Sequence, residues 1–134
     1  MKRLPNNAVH KALVAFLRNH TGLAVYDYVP QEAVLPFITL GTMTVQDKST
    51  KTDDMTHLSA HIHIYSSYKG RYEINTLAEK LINLFGTEQL DLTGEEFYVN
   101  AQGVDFYETY PEDETGYSGV ITLEVIIQNI HKEE

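Results

Sequence analysis

From Leu58 to Tyr65 the chain alternates, with Leu58, Ala60, Ile62 and Ile64 separated by Ser59, His61, His63 and Tyr65. A period of two predicts a half-buried β-strand. After a short polar link the period lengthens, and Ile74, Leu77, Ala78, Leu81 and Phe85 recur at three- and four-residue spacing before Gly86. That stripe predicts an amphipathic helix ended by the glycine. A strand with one apolar face and a helix with one apolar stripe can bury each other. Met55–Phe85 is therefore the unit on which the rest of the chain builds.

Ahead of that unit, Asn6 or Asn7 is placed to cap a first helix over Ala8–His20, with Val9, Leu13, Phe16 and Leu17 on one side. Arg18 and His20 complement the carbonyl end of its dipole, and Thr21 and Gly22 end it. Leu23–Val29 predicts a short edge strand closed by Pro30, which cannot donate to a ladder. Phe37–Val45 is β-rich, with Ile38 and Leu40 on one face and Phe37, Thr39 and Met43 on the other. Gln46–Asp54, QDKSTKTDD, holds no apolar residue and predicts a long mobile loop between two antiparallel strands.

Beyond the central helix, Gly86–Gly94 is irregular, and Glu96–Tyr110 is a strand in which Gly103 signals a bulge or bend. Pro111–Gly116, PEDETG, is an acidic turn. Tyr117–Ile130 is the last strand, and the apolar Val120, Ile126 and Ile130 opposite Ile121, Leu123, Val125 and Ile127 predict partial cover on both sides. The two strands around the turn form an antiparallel hairpin. The order α-β-β-β-α-β-β predicts an α+β fold, a mainly antiparallel sheet of about five strands with two helices packed on one face. Nothing marks a boundary, so residues 1–134 are expected to form a single domain.

Composition removes several classes of function. The chain has no cysteine, which excludes disulfide scaffolds, thiolate metal sites and cysteine nucleophiles. Its longest apolar run, Ala12–Leu17, is far short of the roughly 20 residues that cross a bilayer. Met1–Asn7 has two basic residues without an apolar segment after them, so no secretory signal and no membrane partner is expected. The net charge of −9 is uneven: residues 1–52 hold six Lys/Arg against three Asp/Glu, residues 53–134 four against sixteen. An acidic second half opposes wrapping by nucleic acid, which needs clustered cations to displace phosphate counterions.

Candidate chemistry is sparse. His57, His61 and His63 share one strand face, and the His-x-His pair projects two imidazoles together, an arrangement that zinc sites on sheets can use. A metal site needs a further ligand and an outer acceptor, and a polar sheet face accounts for the same histidines. No phosphate loop, nucleophile elbow or zinc-protease motif occurs. Glu112, Asp113 and Glu114 sit together on the acidic turn as a solvated tip without calcium-loop spacing. The tyrosines gather at the strand-to-helix junction (Tyr65, Tyr68, Tyr72) and around the acidic turn (Tyr107, Tyr110, Tyr117), where interface and sheet-edge roles both fit.

In element order and local pattern the chain resembles the tail completion proteins of long-tailed bacteriophages, also called tail-to-head joining or tail terminator proteins. The resemblance rests on the helix AVHKALVAFLRN, the strand VYDYVP, the stretch LPFITLG, the strand HIHIYS with the helix INTLAEKLINLF, and the closing VDFYETYPEDETGYSGVITLEV. It implies a structural virion protein with no enzymatic activity and no cofactor, made in the bacterial host cytoplasm. Such subunits form a hexameric ring that caps the tail tube and docks on the head connector or head-completion protein, while DNA passes through without specific binding. The residues expected at interfaces are Asp47, Lys48, Ser49, Thr50, Lys51, Asp53 and Asp54 in the polar loop, with Glu112, Asp113 and Glu114 in the acidic turn. Two other classes stay open on the residues alone: a small metal-binding protein or enzyme built on the three histidines, and a tyrosine-rich protein-binding adaptor.

Overall fold

A computed structural model describes residues 1–67, 69–112 and 116–132. The elements follow as helix α1 (Asn6–Thr21), strands β1 (Val25–Tyr26), β2 (Phe37–Asp47) and β3 (Met55–Ser66), helix α2 (Tyr72–Thr87), a 3-10 turn (Thr93–Glu95), and strands β4 (Phe97–Glu112) and β5 (Gly116–Asn129). The sheet order is β1-β2-β3-β5-β4, and every neighbouring pair but β1/β2 is antiparallel. This is the expected α+β architecture. One strand of the closing hairpin, β5, is inserted between β3 and β4.

The helices cover one face. Leu58, Ala60, Ile62 and Ile64 of β3 and Ile121, Leu123, Val125 and Ile127 of β5 share a core with Val9, Leu13 and Leu17 of α1 and Ile74, Ala78, Leu81 and Phe85 of α2. Phe16 stacks on Phe85 at 4.8 Å, joining the two helices over the sheet. Leu90 and Leu92, in the stretch expected to be merely irregular, are buried in the same core. At the other end of α2, the Tyr107 hydroxyl donates to Asn75 Oδ1 at 2.9 Å, and burial pushes its pKa up to about 12. On the opposite face β5 buries Ser118 and Thr122 and half-buries Val120 and Ile126.

Several local expectations are corrected. Helix α1 begins at Asn6 with Pro5 at its N-cap, so neither Asn6 nor Asn7 caps it with a side chain; the first turn is closed by Val9 N–H donating to Pro5 O at 2.9 Å. Its other end is as expected, with Gly22 at φ 68° donating to Arg18 O. The strand expected over Leu23–Val29 shrinks to Val25–Tyr26 and pairs parallel to β2, leaving Tyr28 88% exposed. In β2 a bulge between Leu40 and Met43 moves Met43 and Val45 to the core face that Ile38 and Leu40 occupy, so Met43 does not share a face with Phe37. A Cβ at Gly41 would stand 2.5 Å from His63 Nε2, so the glycine makes room for that ring.

Helix α2 passes through Gly86 and ends at Thr87, with Glu88 extended. The glycine is not needed as a terminator because Gln102 of β4 satisfies the helix end: its Nε2 donates to Phe85 O at 2.9 Å and Glu88 O at 2.8 Å, while its Oε1 accepts from Leu90 N–H at 2.9 Å. Gly103 is likewise not at a bulge. The two irregularities of β4 fall on either side of it, between Val99 and Ala101 and between Val104 and Phe106. Pro111 and Glu112, expected in the acidic turn, extend β4 and pair with Tyr117 and Gly116.

Candidate functional site

The polar segment after β2 is shorter than expected, since Gln46 and Asp47 pair with His57 and Thr56 of β3. The remainder folds back on itself through Lys48 N–H to Met55 O at 3.0 Å and Thr50 N–H to Asp53 O at 2.9 Å. Asp47 Oδ1 accepts Ser49 N–H, and Ser49 Oγ in turn accepts Met55 N–H. These local bonds leave Lys48, Thr50, Lys51 and Asp53 exposed at the tip. Asp54 has a different task. Its carboxylate receives Lys2 N–H and the Asn129 side-chain amide and lies 2.9 Å from the Met1 ammonium, while Asn129 N–H donates to its carbonyl. Arg3 continues the join, donating to Asn129 Oδ1 at 2.7 Å and lying 4.1 Å over the Phe97 ring.

This geometry sets an acid-sensitive anchor. Burial acts to raise the Asp54 pKa, but bonds from Asn129, the terminal ammonium and Lys2 outweigh it and hold the carboxyl at about 2. Ser49 and the ammonium hold Asp47 at about 2 as well. Carboxyls depressed in the folded chain stabilise it above their ordinary value of 3.8, and that contribution is lost as pH falls towards 2. Backbone NMR signals of Lys2, Ser49 and Asn129 are therefore expected to hold their positions from pH 7 to about 4 and to move between 4 and 2. Asp54→Asn should weaken the anchor at neutral pH and remove most of that acid step; an unchanged step would refute the assignment.

The acidic turn lies at the far end of the sheet. β3 runs from Met55, beside the polar loop, to Ser66, opposite Tyr117, and its twelve residues span roughly 35 Å. Glu112 Oε1 there accepts from the buried Ser118 hydroxyl at 2.9 Å. Asp113, Glu114 and Tyr68 lie outside the described residues. Arg71 packs over the Tyr117 ring at 4.5 Å, and Tyr72 beside it is 75% exposed. The polar loop and Glu112 thus lie at opposite ends of the strands.

Between those ends, His57, His61 and His63 lie on the sheet face that carries no helix. His57 Nε2 is 2.5 Å from Glu124 Oε2, and the Ser59 hydroxyl donates to the same oxygen. His63 lies near-parallel to the Tyr65 ring; burial, and then the charge of His61, push its pKa down. Among the described residues no three His, Cys, Asp or Glu side chains are placed to hold one metal ion. Glu124 and Asn129 were missed as partners by sequence reasoning. Period-two patterning puts Glu124 on the open face, but only the strand register sets it beside His57.

No helix among the described residues is long and apolar enough to cross a membrane. A family model described as tail completion protein gp17 matches residues 7–128. No curated protein matches the chain. Among solved structures, a chain of a virion of a native gene transfer agent particle is similar with a TM-score of 0.69 and 19% identity, covering 91% of this chain and 92% of that one. At that identity the likeness is one of fold.

Proposed function

The chain belongs to the tail completion protein gp17 family, a family of structural tail proteins, and on that premise we propose that it forms a ring of six copies that caps the tail tube and joins tail to head. It acts by assembly and not by catalysis, as a component of the virion at the head-tail joint. The observation that carries this reading is the placement of the exposed polar tip and of Glu112 at opposite ends of antiparallel strands, about 35 Å apart. A joint needs two separate contacts, one for the tube and one for the head connector. The exposed tip Lys48–Asp53 serves one partner, and the end around Glu112 serves the other. The sixteen acids in residues 53–134 suit a passage through which DNA moves without adhering, since like charge removes the gain from counterion release.

Electron microscopy of particles from a phage lacking this protein tests the reading. Filled heads and unattached tails are expected, with infectivity restored by the intact chain but not by one in which Lys48, Thr50, Lys51 and Asp53 are replaced by serine. Normally joined, infectious particles without the protein would refute it.

A further inference from the structure

We infer that neighbouring copies join edge to edge, β2 of one copy pairing with β4 of the next to carry a single antiparallel ladder around the ring. The inference rests on the ring reading above and adds the surface that makes it. β1 pairs only with Ile38 and Thr39, so among the described residues no strand lies beside the outer edge of β2 from Gly41 to Asp47. Gly41, Thr42, Thr44 and Gln46 are exposed there, and Met43 and Val45 are only half-buried on the core side. Edge strands of monomers are ordinarily blunted by charge, proline or irregularity. Phe37–Gln46 has neither charge nor proline, and after its one bulge the stretch Met43–Asp47 is regular.

The opposite edge has another character. β4 is sixteen residues long and carries Asp105, Glu108 and Glu112. Two β4 edges brought together would set acids against acids, a destabilising arrangement across strands. The β2 edge carries Asp47 as its single charge, so β2 against β4 sets far less like charge together than β4 against β4 and is the favoured combination. Pairing of β2 with β2 would close a two-fold dimer and could not continue into a ring.

Strand direction supplies an independent argument. β2, β3, β5 and β4 are successively antiparallel, so β2 and β4 of one chain run in opposite directions. Rotation about an axis along the strands leaves those directions unchanged. The next copy's β4 therefore meets β2 antiparallel, as every internal pair except β1/β2 already does. The added strand would also bury more of Met43 and Val45, which pack against the core but are only half-buried at that edge.

Hydrogen exchange tests this on the chain alone and after it is added to tails purified from the phage lacking it. In the free chain the outward amides of residues 43–47 and 98–108 should exchange at least tenfold faster than in the assembled ring. Thr42→Asp combined with Thr44→Asp, both at exposed positions, should leave the melting temperature unchanged and raise the concentration needed for assembly at least tenfold. A ring that forms with both edges exchanging as fast as in the free chain, or that assembles normally with the two aspartates, overturns the edge pairing while leaving the ring intact. Failure of any ring to form on those tails overturns both.

Discussion

Truncation of Phe85 to alanine is expected to lower folding stability by about 3–5 kcal/mol, the range for removing a buried aromatic from a core. Phe85 is 2% exposed and stacks on Phe16, so its ring is the contact through which α1 and α2 share one layer. Loss of the ring removes dispersion contacts to both helices and leaves a cavity that backbone held by the sheet cannot close. Against a total of about 5–15 kcal/mol for a domain, this is a large fraction. Denaturant melts should show a reduced midpoint with an unchanged slope. Phe85→Leu, which keeps most of the volume, should lose much less, about 1–2 kcal/mol. Equal losses for both variants would mean that ring shape, and not burial, sets the effect.

Gln102 carries the second large effect. One side-chain amide satisfies two carbonyls at the end of α2 and one N–H in the segment that follows, at 2.8–2.9 Å. Gln102→Ala leaves these groups without partners and is expected to cost about 2–3 kcal/mol. Gln102→Glu is the sharper variant. It keeps the size but replaces the donor with an oxygen facing two carbonyl oxygens, so its loss should exceed that of alanine at pH 7 and shrink as the carboxyl is protonated. A glutamate variant as stable as the native chain at pH 7 would show that the amide does not hold the helix end.

The core was legible because it repeats. Ile62, Ile64 and Leu58 announce a strand by period two, and Ile74, Ala78, Leu81 and Phe85 announce a helix by period 3.6. What was not legible depended on residues far apart in sequence. Gly86 looks like a helix end because local signals favour it; the real end is set by Gln102, fourteen residues from Glu88. Met43 sits on the wrong face in a strict alternation because a bulge inserts an extra residue, and a strand pattern holds no count of its partner's residues. Asp54 read as one acid in a polar loop, yet its carboxylate ties Lys2 to Asn129 at the end of β5. The placement of the polar loop and Glu112 at opposite ends of the sheet was equally hidden, since sequence distance does not show which end of a sheet a loop occupies.

The place of β5 between β3 and β4 bears on how the protein is made. Met55 is paired with Gln128, so the middle of the sheet cannot close until the chain has been made through β5. Until then β3 and β4 have no partner between them, and the interrupted sheet has neither the order nor the spacing of its final edges. A high share of such remote pairings makes folding slow and late. A chain that stops short of β5 therefore lacks the middle of the sheet, and β4 cannot take its place at the sheet's edge.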